Sequence, residues 1–132
     1  MTFSYFSRLR QKNKHMKKQT EIEKAAINFA LQIFKLIESF PKEEKSPYGS
    51  ELAREVVKLS SGISTFFHLN EMIAGFDFLN NAFSATFRVE IYLLASKDLN
   101  LVKSIDEPMK SLEKIRKRLD SLLNTVPDIS QV

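Results

Sequence analysis

The chain has 132 residues, of which 43% are hydrophobic and 27% are charged, with three glycines and four prolines. This length favours a single domain, and this composition excludes a disordered chain and a turn-rich β-sandwich. The sequence contains no run of about eighteen apolar residues, so no membrane span is predicted. The amino terminus lacks the uninterrupted apolar segment of a signal peptide. The absence of cysteine excludes disulfides, thiolate metal sites and a cysteine nucleophile, and it fits a cytoplasmic location.

The amino terminus is strongly basic, although the net charge of the whole chain is only +4. Residues 1–19 show no sustained hydrophobic period and contain no acid, so we interpret them as a flexible basic arm. An arm of this charge suits a polyanion, either nucleic acid or an anionic membrane surface, unless it is a solubilising tail. The expected nucleic-acid-binding residues of the arm are Arg8, Arg10, Lys12, Lys14, Lys17 and Lys18.

Helical periodicity begins directly after the arm. Thr20 and Glu23 have the spacing of a capping box, in which a hydroxyl and a carboxylate each bond a free backbone N–H. The predicted first helix continues to about Ser39 and ends there, because Pro41 disfavours helical geometry in Phe40. Its inward-facing stripe is predicted to comprise Ile22, Ala25, Ala26, Phe29, Ile33, Phe34, Leu36, Ile37 and Phe40.

Two further helices are predicted in the middle of the chain. The second begins near Ser46 or Ser50 and runs through Gly62, where we expect either a kink or a close approach of another helix. The third follows from a cap at Asn70 to an end between residues 97 and 102. The residues of the second helix that are predicted to face inward are Leu52, Val56, Leu59, Ile63 and Phe66 or Phe67.

A fourth helix completes the predicted fold. Ser104 and Glu107 repeat the capping-box spacing at its start, and its first turn tolerates Pro108. Four amphipathic helices with short links predict an all-α, up-down-up-down antiparallel four-helix bundle over residues 20–126, followed by a tail at 127–132. The fourth helix ends before Pro127 and is predicted to bury Met109, Leu112, Ile115, Leu119 and Leu122.

The stretch from Phe66 to Leu94 holds six of the eleven phenylalanines. Its apolar residues form two helical stripes, and a helix that is apolar on more than one side must be covered on more than one side. We therefore predict that one side packs in the core and that the other mediates self-association, unless it docks a helix of a partner protein. The stripes are Phe76, Phe83, Phe87 and Leu94 on one side and Phe78, Ala82, Ala85, Val89 and Leu93 on the other. The expected oligomer interface is Phe66, Phe67, Phe76, Phe83 and Phe87.

Several motifs occur in an order that resembles a known family. The first is a helix that ends in phenylalanine-proline before a charged loop, at residues 40–44. Leu52 with Arg54 and then Ser61 with Ile63 follow in the second helix. The third helix contributes Phe78 and Leu79 before Ala82, then Glu90, and finally a helix end formed by Lys97, Asp98 and Leu99. From about Ile22 to Leu123, the chain resembles the bacterial four-helix-bundle proteins first noticed in intervening sequences of 23S ribosomal RNA genes.

This resemblance implies a left-handed up-down-up-down bundle that forms homo-oligomers, notably pentameric rings, with no established enzyme activity. A related group is the accessory variability protein of diversity-generating retroelements, a basic pentamer that works with nucleic acid and a reverse transcriptase. The resemblance therefore implies association with RNA or DNA. The chain departs from the family pattern at Gly62, Thr65, Phe66 and Arg88.

A basic strip is predicted on the fourth helix. Lys110, Lys114 and Lys117 share one face of it, with Lys103 one turn earlier. Lysines on one helix face can follow a phosphate backbone, so we expect this strip to bind nucleic acid. The alternative is a solvated face with ordinary i,i+4 ion pairs, Glu113 with Lys117 and Arg116 with Asp120.

The remaining polar residues favour structural roles. Glu90 lies on the apolar third helix, and if it faces inward it needs a partner, for which Arg54 is the candidate in a structural ion pair. His68 is expected to cap or pack at the junction of the second and third helices.

No catalytic motif stands out. Arg10 and His15 have the spacing of a motif in small all-helical ribonucleases, which makes a ribonuclease the enzymatic alternative. Neither a metal-ligand spacing nor a glycine-rich phosphate loop occurs. We therefore expect a binding or scaffold protein that has no enzyme activity, metal or cofactor.

Overall fold

The computed structural model of this protein describes residues 20–42, 47–69 and 72–125, with residues 72–74 described by their backbone alone. The described residues form four helices and no strand: α1 (Glu21–Glu38), α2 (Tyr48–His68), α3 (Met72–Asp98) and α4 (Asp106–Thr125). Helices α1 and α3 each pack against both α2 and α4, so α1 and α3 occupy diagonal positions in the bundle.

The predicted all-α four-helix bundle is confirmed, and its up-down-up-down direction stays a prediction. The predicted arm at 1–19, the tail at 127–132, and Ser46 and Asn70 as helix caps lie outside the described residues. Within the described residues, no helix is long and apolar enough to cross a membrane.

The ends of α1 form as predicted. The Thr20 hydroxyl accepts a hydrogen bond from the Glu23 N–H at 3.2 Å, and the Thr20 N–H donates to Glu23 Oε1 at 3.0 Å. At the other end, the Ser39 N–H donates to the Leu36 carbonyl at 3.0 Å, and the chain then leaves the helix before Pro41. Local capping chemistry therefore defines where this helix starts and stops.

Helix α3 ends in a Schellman motif. Asn100 has a positive φ of 60°, a conformation that asparagine tolerates better than most residues. The Leu101 N–H then donates to the Ser96 carbonyl at 2.9 Å, and the Asn100 N–H donates to the Lys97 carbonyl at 3.0 Å. The buried Leu101 side chain holds this reversal against the core.

The start of α4 differs from the prediction. The Ser104 hydroxyl accepts from the Asp106 N–H at 3.2 Å, and the helix begins only at Asp106. Glu107 therefore lies in the second helical position and pairs with Lys110 at 3.6 Å instead of reaching back to Ser104. The predicted capping box at this helix is wrong, because the helix starts one residue later than the spacing suggests.

The core between the helices contains most of the predicted inward residues, but two phenylalanines lie elsewhere. Phe34 and Phe78 are 36% and 40% exposed, so their predicted inward position is wrong. Helix α3 is apolar around much of its circumference, and its periodicity therefore does not define which side faces the core. Its fully buried residues are Leu79, Ala82, Ala85, Thr86, Val89, Leu93 and Ser96. Four of these, Ala82, Ala85, Val89 and Leu93, belong to the predicted stripe that also contained Phe78.

Gly62 marks a close approach of α2 to α3. A Cβ atom at Gly62 would lie 3.1 Å from the Phe78 carbonyl oxygen and 3.2 Å from the Ala82 Cβ. Helix α2 continues through this position without interruption. Of the two predicted alternatives, the close helix approach is confirmed, because the absence of a side chain lets the two backbones come together.

Candidate binding surfaces

The basic strip on α4 is exposed to solvent. Lys110, Lys114 and Lys117 all lie on the outside of the helix, and Lys110 pairs with Glu107 in the preceding turn. The alternative pair of Glu113 with Lys117 does not form, and neither Lys114 nor Lys117 has a carboxylate within 4.0 Å of its ammonium group among the described residues. Two lysines of the strip are thus available to an anionic ligand.

Arg116 belongs to the fold and not to the strip. Its Nη2 contacts Glu90 Oε1 at 2.7 Å and the Thr86 carbonyl at 3.0 Å, and its Nε donates to the Thr86 hydroxyl at 3.0 Å. The guanidinium carbon also lies 4.2 Å from the centre of the Phe87 ring, a cation–π distance. With these contacts Arg116 joins α4 to α3, and the predicted pair of Arg116 with Asp120 is wrong.

The predicted ion pair of Arg54 with Glu90 is also wrong. Arg54 pairs with Glu51 at 3.6 Å on the exposed side of α2, whereas Glu90 faces α4 and takes Arg116 as its partner. The rotation of α3 explains the difference, because it directs Glu90 toward α4 and away from α2.

A second carboxylate cluster joins α2 to α3. Glu55 is only 5% exposed; its Oε2 accepts from Arg88 Nε at 2.7 Å, and its Oε1 lies 3.6 Å from Lys58 Nζ. Glu55 was not predicted as a site residue, although its position between the buried residues Leu52 and Leu59 indicates a buried acid that needs a partner.

Glu23 and His68 form a polar cluster near the start of α1 and the end of α2. Glu23 Oε2 accepts from the Ser64 hydroxyl at 3.0 Å and lies 3.5 Å from His68 Nε2, which makes an ion pair when the imidazole is protonated. Burial by itself would raise the pKa of Glu23, but the hydrogen bonds from Thr20 and Ser64 and the charge of His68 together lower this pKa below its ordinary value.

This cluster has the residue types of a catalytic triad but a different geometry. A nucleophilic serine must hydrogen-bond the histidine that takes its proton, whereas Ser64 donates to the Glu23 carboxylate. His68 contacts the same carboxylate oxygen. The cluster therefore holds two helices together and leaves the serine without an activating base.

The predicted oligomer-interface residues are mostly half-buried. Phe66 and Phe67 pack partly against the core and meet edge to face at 5.0 Å, and Phe76 is also half-buried. Phe83 is half-buried beside Phe87, with ring centres 5.3 Å apart. Only Phe87 is largely exposed, at 47%.

Two exposed apolar stripes stand out on diagonal helices. On α3, the stripe extends from Phe87 to Ile91, which is 63% exposed, and to Leu94. On α1, Ile27, Leu31 and Phe34 repeat the same i, i+4, i+7 spacing; this second stripe was not predicted. Each stripe covers about two helical turns.

Grooves open between neighbouring helices on the surface of the described residues. One has a volume of 480 Å³ and runs from Thr20 and Ile22 to Phe67, Lys117 and Arg118. Another is a polar pocket of 360 Å³ between α2 and α3, lined by Lys58, Ser61, Gly62, Thr65, Phe78, Asn81 and Arg88. Three of the four departures from the resembled family, Gly62, Thr65 and Arg88, meet in this pocket.

The predicted arm residues, together with Arg10 and His15 of the ribonuclease alternative, lie outside the described residues. In the part of the chain that the structure describes, no three histidine or acidic side chains come together to hold a metal ion. No model of a known protein family matches this chain, and no curated protein matches it either. The family resemblance therefore stays a prediction.

Proposed function

We propose that this protein is a non-enzymatic, self-associating scaffold of the cytoplasm that binds nucleic acid through its basic arm and the basic strip of α4. One observation carries the nucleic-acid part of the proposal. Thr20, at which the arm joins the bundle, lines the same groove as Lys117 and Arg118. Thr20 follows the arm directly in the sequence, which supports the proposal that the six basic residues of the arm and the exposed cations of α4 act on one polyanion.

The test measures binding of single- and double-stranded nucleic acid over a range of salt concentrations. Affinity is expected to fall steeply with salt, because each phosphate contact adds about 0.9 to the slope of log K against log salt for duplex DNA. Deleting residues 1–18 should abolish binding at moderate salt, and Lys114→Gln with Lys117→Gln should reduce the slope by about 2.

The matched control is Lys24→Gln with Lys35→Gln, which removes the same charge from exposed positions on α1. Binding that survives deletion of the arm would contradict this proposal. Binding that weakens as much in the control as in the Lys114→Gln with Lys117→Gln variant would also contradict it.

Self-association is supported by the two apolar stripes. Because α1 and α3 are diagonal, their outward surfaces point in opposite directions, and one subunit can place its α1 stripe on the α3 stripe of the next. Such a head-to-tail contact closes into a ring when the rotation fits, and the family resemblance suggests a pentamer. Scattered apolar residues are normal on protein surfaces, but two aligned stripes are typical of interaction sites.

A pair of variants tests this arrangement by light scattering. Leu31→Glu breaks the α1 stripe and Ile91→Glu breaks the α3 stripe, and both side chains are more than half exposed, so neither change should unfold the monomer. Each variant alone is expected to be monomeric, while a 1:1 mixture forms a dimer through the two intact stripes. A wild-type monomer at micromolar concentration would contradict self-association, and a mixture that stays monomeric would contradict the head-to-tail contact.

A second candidate function follows from the same exposed α3 stripe. The stripe could instead receive an amphipathic helix of another protein, a mode in which residues at i, i+4 and i+7 supply the anchors. In that case the isolated protein is monomeric and binds no nucleic acid at low salt. It binds a helical partner protein, and Ile91→Glu abolishes that binding.

A further inference from the structure

The polar pocket between α2 and α3 has the chemistry of a ligand site. Its volume of 360 Å³ lies within the range of small-molecule sites in proteins. We propose that it binds a phosphomonoester that carries a flat aromatic group, the chemistry of a mononucleotide. The pocket lies between helices that do not include α4, and the proposal therefore stands independently of nucleic-acid binding by the basic strip.

Two cations lie at this pocket, positioned by one buried acid. Glu55 uses one oxygen for Lys58 and the other for Arg88, so the three side chains carry a net charge of +1. Arg88 meets Glu55 through Nε, and its two terminal nitrogens make no hydrogen bond to other described residues. A guanidinium with a free edge beside an ammonium group is well suited to a phosphate, because it can donate two parallel hydrogen bonds.

The rest of the lining suits an aromatic ring with polar edges. Phe78 is 40% exposed and is one of the lining residues, so we expect its ring to stack on an aromatic ligand. Asn81 follows three residues later on the same helix, and its amide both donates and accepts hydrogen bonds. Thr65 lines the same pocket from α2 and carries a hydroxyl group. Within the described residues, neither polar side chain forms a hydrogen bond, so both can serve a ligand.

Gly62 places these groups close together. Because it has no side chain, α2 comes near the α3 backbone beside Phe78 and Ala82. The lining residues from the two helices can therefore contact one small ligand.

Binding is measured by calorimetry on the full-length protein, with 5′-mononucleotides, the matching nucleosides and inorganic phosphate as separate probes. A mononucleotide is expected to bind one per chain and at least about tenfold more tightly than either fragment, because it alone uses both the cations and Phe78. Equal affinity for inorganic phosphate, or no binding of any mononucleotide, would overturn the proposal.

Variants of the exposed lining residues assign the site. Lys58→Gln and Asn81→Ala should each weaken mononucleotide binding at least about threefold, and Phe78→Ala at least about fivefold. The control is Lys24→Gln, because Lys24 also pairs with an acid three residues earlier and its side chain is 55% exposed, compared with 57% for Lys58. Lining variants that bind as tightly as this control would contradict the site.

Arg88 needs a second measurement, since removing it also leaves Glu55 with a single partner. Arg88→Lys keeps the charge but loses the forked donor, and it should weaken mononucleotide binding at least about threefold while circular dichroism and thermal unfolding stay near wild type. A folded Arg88→Lys protein with unchanged affinity would overturn the role of the guanidinium.

A nucleotide with a 5′-phosphate also occurs at the end of a nucleic-acid strand. Two oligonucleotides distinguish binding of such a strand end from binding of the free mononucleotide. If a 5′-phosphorylated oligonucleotide displaces the mononucleotide better than its 5′-hydroxyl counterpart, the pocket takes a strand end. If neither displaces it, the pocket takes the free nucleotide.

Discussion

Glu23 and Glu55 are buried carboxylates in the described part of the chain, and they are stabilised in different ways. Glu23 is held by hydrogen bonds from the capping box and from Ser64, whereas Glu55 is held by the charges of Arg88 and Lys58. Both arrangements join two helices, since Ser64 and His68 connect Glu23 to α2. The first also has a local part, because Thr20 is three residues away, whereas both partners of Glu55 are cations. The second reaches the surface beside a polar pocket, so it can be coupled to a ligand.

The largest expected effect comes from removing the cation of the inter-helix pair. Arg88→Met leaves the buried Glu55 with Lys58 alone, and we expect a loss of about 1–3 kcal/mol in the free energy of unfolding. The loss stays below the 3–5 kcal/mol typical of fully buried pairs, because Arg88 is 46% exposed. Urea denaturation measures it, and a change below about 0.5 kcal/mol would show that Glu55 needs only Lys58.

The next effect tests the local arrangement. Thr20→Ala removes the N-cap hydroxyl of α1, which should cost about 1 kcal/mol. Thr20→Ser keeps the hydroxyl and is the matched control. If both variants lose the same stability, the Glu23 cluster does not depend on the cap.

The third prediction concerns pH. The pKa of Glu23 is lower in the folded protein than its ordinary value of 4.5, so above that value the carboxylate contributes its full stabilisation. As the pH falls below 4.5 and through the folded pKa, the unfolded state takes up the proton first and this stabilisation is lost. Glu23→Gln should therefore reduce the loss of unfolding free energy between pH 4.5 and pH 3. Urea denaturation from pH 3 to pH 7 measures this free energy. An unchanged loss would show that other carboxylates control it.

The smallest effect is expected for an exposed pair. Arg54→Ala breaks the contact with Glu51, in which the arginine side chain is 62% exposed, and stability should change by less than about 0.5 kcal/mol. A loss as large as that of Arg88→Met would mean that exposure does not separate the two arginines.

The difference between local contacts and contacts between helices explains what the sequence could predict. The four helices, the capping box at Thr20 and the close approach at Gly62 depend on residues near one another in the chain or on simple periodicity. The partners of Glu55 and Glu90 depend on how α3 is rotated, and the apolar surface of that helix leaves its rotation undefined. The exposed stripe on α1 was not predicted, because Phe34 was assigned to the core.

Arg116 fixes one end of the α3 stripe in advance. Its guanidinium is held by Glu90 and by Thr86, and it lies 4.2 Å from the centre of the Phe87 ring. The exposed ring therefore rests on a group that is itself anchored to the fold, and fewer side-chain conformations are lost when another surface covers it. An anchor that is ordered beforehand lowers the entropic cost of association at the stripe.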